Sequence, residues 1–514
     1  MPTSQPAVAV AGLVPAAAQR PRTPRVVMLL VAATFTVILN ETIMTNAVPR
    51  LMVDFAVSAR AAQWLSTVFM LTMAALIPVT GWFLQRVTTR TAYALAMTTF
   101  CVGTVIGAAA PDFAVLLVGR VVQASGTAVM TPLLMTTLMT VVPQSDRGRV
   151  MGTVTMAMSC APALGPAVSG LILQLGSWRL IFVFMLPVAA AVGIGGMRLL
   201  ENVGEPQPGS VSWTSVALAA LGFGGLLFGL SEAGAIGALP VALLITAGLA
   251  LIVAFGWLQV RLTRPPSGPL LDLRTLRHRS FRVSLLMVAA TDVAFFGAMF
   301  LLPLYLQNAR HLSSLQTGLL LIPGGLGMGV LGPPVGRLYD RCGARPVVLP
   351  GAVATVVALA VFSRIGQHTP YGLILAAHIV LMASLAAVLT PVFTAGLGDL
   401  PAELYSHGSS LFGTVMQVFG ALGTALLVVI SQTRTSALTR SGVSSAAATV
   451  DGLRWAFAAG AACAVVMTAL AVALPSGRSG KGAGTAEVAM TAVPFAGDEA
   501  DPDLAAGDQR GQVA

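Results

Sequence analysis

The chain has 514 residues, 56% hydrophobic and only 9% charged, with a formal net charge of +10 and a mean hydropathy of +0.84. A soluble domain carries about 25% charged residues, so this chain lacks the material for a water-facing surface. Its apolar residues come in blocks of about 20, the length a helix needs to cross ~30 Å of hydrocarbon, which leaves an all-α polytopic membrane protein as the class.

Residues 1–25 are rich in Pro and Ala and read as a disordered tail. The start "MPTSQPAVAV" has no basic n-region, so the first apolar block is expected to direct insertion itself. Fourteen blocks follow, near 26–48, 62–84, 92–110, 113–136, 150–173, 180–197, 214–231, 239–259, 283–306, 315–336, 346–363, 371–396, 408–430 and 452–474. An even number puts both termini on one side. With the termini in the cytoplasm, the inner loops and proximal tails hold more than twice as many basic residues as the outer loops, as the positive-inside rule requires. That orientation accounts for the positive charge and excludes nucleic acid as a partner. The inner stretch 261–282 is basic and is expected to lie against anionic headgroups. Residues 476–514, rich in Gly, Ala, Asp and Glu, read as a second disordered tail.

Within the blocks, titratable groups are few. Glu41, in "FTVILNETIMTNAV", lies ~22 Å along block 1, so ~8 Å below the outer surface of a ~30 Å core. Arg120 in block 4 lies ~10 Å below the same surface, and Asp292 in block 9 is ~15 Å deep, near the midplane. Charges at such depths are costly and mark pathways or coupling sites. Asp292 reads as a proton site or a counter-ion for a cationic substrate, against a fixed hydrogen bond to a neighbouring helix. His378 in block 12 fits an interhelical hydrogen bond or a cavity wall. Glu232 sits at a block edge. The cysteines Cys101, Cys160, Cys342 and Cys463 show no metal-ligand spacing and read as packing thiols. No Walker A pattern and no nucleophile–base pair occurs, so neither an ATP-driven pump nor an enzyme is expected, and an ion gradient becomes the energy source.

Two inner loops repeat one form. "GWFLQRVTTR" follows block 2 and "GRLYDRCGAR" follows block 10, with Gly81 and Gly336, Arg86 and Arg341, and Arg90 and Arg345 in the same relative places. The repetition suggests two related halves. The second loop resembles the G-x-L-x-D-R-x-G-x-[KR] signature of the major facilitator superfamily through Gly336, Leu338, Asp340, Arg341, Gly343 and Arg345. Block 4 resembles that family's second signature through Arg120, Gln123 and Gly126. "APALGPAVSGLIL" resembles its antiporter signature through Gly165, Pro166, Ser169 and Gly170, and "LNETIMTNAVP" the first helix of the fourteen-span drug:proton antiporters.

The resemblance, closest to lincomycin-resistance-type permeases, implies two six-helix bundles (26–200 and 283–475) around a central cavity, with an inserted pair of helices (201–260). It further implies a bacterial inner-membrane exporter, acting as a monomer without cofactors, that exchanges amphipathic drugs or antibiotics for protons by alternating access. Other readings are a carrier of one endogenous metabolite and a non-transporting sensor or scaffold. By the same resemblance, Glu41 and Arg120 should face one another across the cavity with Asn40 and Gln123 nearby, and the bend at Gly165–Pro166 marks exporters. Two departures stand out: Gln85 replaces the Asp of the first loop signature, and Asn40 replaces the Asp of helix 1, with an acid one residue later at Glu41.

Overall fold

The computed structural model describes residues 23–45, 47–203, 206–207, 209–233, 237–262 and 268–474, without the side chains of residues 23, 24, 45, 59, 60, 166 and 314. Most of both expected tails (1–22 and 475–514), and residues 263–267 of the basic stretch, therefore lie outside the described residues.

Among the described residues, fourteen long helices follow the apolar blocks. They are α1 (Thr23–Thr45), α3 (Ala59–Arg86), α4 (Thr89–Ala109), α5 (Phe113–Val141), α6 (Arg147–Leu175), α7 (Arg179–Leu199), α8 (Trp213–Ser231), α9 (Ala238–Arg261), α10 (Arg279–Leu304), α11 (Ser314–Cys342), α12 (Arg345–Phe362), α13 (Tyr371–Gly398), α14 (Tyr405–Arg440) and α15 (Ser445–Val472). Thirteen are long and apolar enough to span a membrane as they stand, and α6 brings the number to fourteen as a span bent by 40° between Gly165 and Ala167. The short α2 (Val48–Asp54) was not expected. Pro49 in its first turn cannot continue α1 but suits a helix start, so the first block divides there.

Polar residues fix the helix starts. Ser58, Thr88, Asp112 and Ser212 each accept a backbone N–H from the first turn of α3, α4, α5 and α8, and Ser313 with Gln316 forms a reciprocal capping box on α11. α14 and α15 run well past their apolar blocks. Their polar ends continue as a helical hairpin tied by Arg434 Nε to Asp451 Oδ2 (2.8 Å), which hydropathy alone could not register.

Contacts among the first six long helices and the last six follow one scheme. α1 packs on α5, α6 and α7, as α10 does on α13, α14 and α15. α4 packs on α5 and α7, as α12 does on α13 and α15, and α3 packs on α5 as α11 does on α13. The contacts between the two sets map onto themselves when the sets are exchanged: α3 meets α14 as α11 meets α6, and α5 meets α14 as α13 meets α6. This is the arrangement of an internally repeated transporter. α8 and α9 pair with each other, and α8 packs against both α3 and α14. α9 exposes Leu239, Leu243, Val253 and Trp257, a face suited to hydrocarbon. One end of the helices carries the connections after α3, α5, α7, α9, α11 and α13, with Arg86, Arg90, Arg147, Arg149, Arg341 and Arg345; it is called the basic end below.

Candidate functional site

Three groups of residues bear on transport. The first surrounds Arg120, which is only 2% exposed. Its Nη1 donates to Gln123 Oε1 (3.1 Å) one turn along α5 and to Asn40 Oδ1 (3.4 Å) on α1, and its Nε donates to Leu65 O (3.4 Å) on α3. The guanidinium lies 4.1 Å from the centre of the Phe69 ring, and Gln123 Nε2 donates onward to Thr104 Oγ1 (2.8 Å) on α4. Four helices are thus tied to one cation by neutral acceptors.

The expected facing of Glu41 and Arg120 is not a direct contact. No ion pair within 4.0 Å joins them among the described residues. The place is taken by Asn40, which is fully buried, while Glu41, ~100° further round the helix, is partly exposed. The two charges still interact through space. The hydrogen bonds described for the arginine therefore go to two side-chain amides and one backbone carbonyl, and its charge remains available to a carboxylate at longer range.

The bend of α6 abuts the next turn of α1. A Cβ at Gly165 would fall on the Thr42 hydroxyl and Cβ, and Thr42 Oγ1 itself donates to Ala161 O (3.4 Å). A Cβ at Gly170 would meet nothing, so of the two signature glycines only Gly165 is needed for packing. Gly165→Val is expected to push α6 off α1, next to Glu41, and to reduce transport at least about tenfold with unchanged membrane insertion, as vesicle uptake normalised to protein content would read. Such overpacking costs about 1–3 kcal/mol.

The second group lies in the last six helices. Asp292 on α10 is 1% exposed, and its Oδ2 has no hydrogen-bond partner among the described residues. His378 on α13 is also buried. Its Nε2 lies 3.2 Å from Leu321 O on α11, the interhelical hydrogen bond that was one of its two readings, while its Nδ1 has no partner among the described residues; the residue also lines a small apolar void with Phe295, Met299 and Met382. A Cβ at Gly324 would strike this imidazole, so that glycine admits it.

The third group closes the basic end. Gly336 on α11 crosses Gly148 on α6 so closely that a Cβ on either would fall on the other's backbone, and Gly152 and Gly332 repeat the approach a turn deeper. Gly343, in left-handed backbone at φ 84°, ends α11. Beside this crossing the Asp340 carboxylate accepts from the N–H groups of Gly148 and Arg149 (2.8 Å each). It caps the positive end of α6. The related seam between α3 and α14 has the opposite polarity. Gln85, in the place of the signature acid, donates through Nε2 to Glu403 O (2.8 Å), and Gly81 lets His407 approach α3.

Arg86 lies over Trp82 (5.5 Å) and donates to Gln85 Oε1 (3.3 Å). Arg90 and Arg341 are exposed and Arg345 half-buried. Arg147, not singled out by any motif, donates to Met139 O (2.7 Å) and Val142 O (3.2 Å) at the end of α5 and reaches the Tyr405 hydroxyl (3.3 Å) on α14. Hydroxyls complete the contact between the sets: Thr136 with Ser409 (3.3 Å), Thr390 with Thr155 (2.8 Å), and Ser410 with Ile77 O (2.5 Å). Every side-chain hydrogen bond between the first six and last six long helices, among the described residues, lies in the half nearer the basic end.

The family model for the Major Facilitator Superfamily matches residues 30–424 and 285–497. The chain belongs to this superfamily. This facilitator is 36% identical over 443 residues to the uncharacterized MFS-type transporter YcnB of Bacillus subtilis (strain 168), covering 86% of this chain and 93% of that one. It is likewise 36% identical over 415 residues to the lincomycin resistance protein LmrB of Listeria monocytogenes, covering 80% and 87%. Among solved structures, the human organic anion transporter MFSD10 (TETRAN) shares the fold with a TM-score of 0.63 at 15% identity, covering 88% of this chain and all of that one. The chain is a multi-pass membrane transporter and not an enzyme.

Proposed function

We propose that this transporter is a proton-coupled exporter of amphipathic drugs or antibiotics, working by alternating access as a monomer in a bacterial inner membrane with both termini in the cytoplasm. On this reading the basic end faces the cytoplasm, and the bonds closing it hold the substrate path shut on that side. The observation that carries the coupling is Asp292: a carboxyl group buried in the transporter interior with one oxygen unpartnered. A buried acid is tolerable when neutral and costly when charged without a partner, and a group of that kind links proton loading to conformation. Glu41, partly exposed and in the field of Arg120, is the second coupling site. Likeness to a lincomycin resistance protein over four-fifths of the chain, together with the bend at Gly165, supports export of drug-like compounds. No cofactor enters the scheme, and the proton gradient supplies the energy.

A growth-inhibition panel of antibiotics and dyes in an efflux-deficient bacterium tests this directly, comparing empty vector, wild type and Glu41→Gln. Wild type alone is expected to protect, with Glu41→Gln reaching the membrane in equal amount. Protection by both would remove Glu41 from the coupling and leave Asp292. No protection against any compound, with protein in the membrane, would favour a dedicated carrier of one metabolite.

A further inference from the structure

We propose that residues 268–277 act as a strap across the α3–α14 seam at the basic end, and that the inserted helices α8 and α9 serve as its anchor. The sequence "GPLLDLRTLR" reads as a charged loop, yet Leu270, Leu271, Asp272 and Thr275 are each no more than 2% exposed. A loop between spans has no need to bury so much unless it is docked.

The docking is specific. Gln259, on α9 and fully buried, accepts the Leu270 N–H (2.8 Å) and the Leu271 N–H (3.4 Å) through Oε1 and donates to Ser215 Oγ (3.0 Å) on α8 through Nε2. One side chain thereby joins the strap to both inserted helices. The strap folds on itself at its other end, where Asp272 accepts the Arg274 N–H (2.9 Å) and pairs with the Arg274 guanidinium (2.6 Å), and Thr275 Oγ1 donates to Asp272 O (3.0 Å). Burial alone would raise the Asp272 carboxyl; the hydrogen bonds and charge of Arg274 outweigh it and hold the group below the usual carboxylate range.

The opposite side of the strap meets both partners of the seam at one point. A Cβ at Gly81 on α3 would lie 2.9 Å from His407 Nδ1 on α14 and 3.2 Å from Leu270 O. A Cβ at Gly268 would lie 3.0 Å from Arg86 Nη2 at the end of α3. On this proposal α3 and α14 part at this end only by disturbing the close packing of Gly81, His407 and Leu270, while Gln259 resists displacement of the strap. α10 begins directly after the strap, at Arg279, so pulling on the strap also acts on the last six helices. The inserted pair, which has no counterpart in either set of six, thus gains a mechanical role at one of two otherwise related seams.

Distance measurement between spin labels at Thr91→Cys and Ala402→Cys tests this. Both sites are exposed at the basic end, and the labels are placed in a chain with its four native cysteines replaced and reconstituted in nanodiscs. Gln259→Leu is expected to raise the longer-distance population at least threefold over wild type, and Leu270→Ser to do the same from the other side of the docking. Ser215→Ala, which removes the brace on Gln259 together with a hydroxyl bond to Ser212 (3.0 Å) at the start of α8, should give a smaller rise. Superimposable distributions for wild type, Gln259→Leu and Leu270→Ser, all monodisperse on size exclusion, would overturn the proposal, as would a shift toward shorter distances. Because no substrate is present, the outcome is independent of what the protein exports.

Discussion

Asp292→Asn is expected to lower gradient-driven transport at least about tenfold while leaving substrate binding within a few-fold and the melting temperature near wild type. Asparagine has the size of the acid and can make its hydrogen bonds, but it cannot load and release a proton. Asp292 is 1% exposed on a helix whose neighbouring side chains are mostly apolar, and one of its oxygens has no partner among the described residues. Replacement by a neutral isostere therefore breaks no described bond of that atom and should not unsettle packing. Proteoliposomes with an imposed pH gradient give the transport rate, and dye-binding fluorescence with a thermal melt gives the other two. If Asp292 were instead a fixed structural hydrogen bond, the melt would move and binding and transport would fall together. Unchanged gradient-driven transport would take the residue out of the cycle. Tenfold corresponds to about 1.4 kcal/mol, small beside the several kcal/mol at stake in charging a buried group.

Gly336→Leu should be more damaging to the shape of the cycle than to the fold. The crossing of α6 and α11 brings Gly336 onto the Gly148 backbone, and a Cβ there has no flexible neighbour to displace. The helices would have to separate, and the Asp340 carboxylate would lose reach to the Gly148 and Arg149 N–H groups. The closed basic end should be lost and net transport with it, again by at least about tenfold. Overpacking of this kind costs about 1–3 kcal/mol, which a melt would register as a modest shift. Gly318→Leu on the same helix is the control, since a Cβ there meets nothing and near-normal transport is expected. Equal loss in the two variants would mean that α11 fails generally and that the crossing has no special part.

What the sequence made legible followed from physics that acts along one dimension. Apolar block length indicated the spans, and repetition of Gly81 with Gly336 indicated two related halves, though not which helices meet at the seams. The polarity of those seams was only half legible: Gln85 announced the loss of an acid, but that its amide would donate to the Glu403 carbonyl depends on the turn before α14. At the arginine, the sequence offered an acid at Glu41 and an amide at Asn40, and charge complementarity favoured the acid. The hydrogen bond goes to Asn40, and Glu41, ~100° further round the helix, acts on the arginine only at longer range. The strap, His407 and Arg147 gave no periodic or motif signal at all. Their roles arise from segments far apart in sequence meeting at one end of the bundle, and a polar loop looks the same in sequence whether docked or solvated. The extension of α14 and α15 was missed for a related reason: hydropathy reports where lipid begins and ends, not where a helix does.

The hydroxyl bonds between the two sets of helices carry a consequence for how such a protein can change over generations. Interhelical side-chain hydrogen bonds in membranes average about 0.6 kcal/mol, close to thermal energy, so losing one shifts a two-state ratio only about threefold. Thr136 with Ser409, and Thr155 with Thr390, can thus be exchanged for alanine or valine one at a time, each step altering the dwell between the two arrangements without unfolding either. A carrier whose two sets of helices meet through weak hydroxyl bonds beside the charged groups Asp340 and Arg147 can drift toward faster turnover or tighter closure by single substitutions at the hydroxyls.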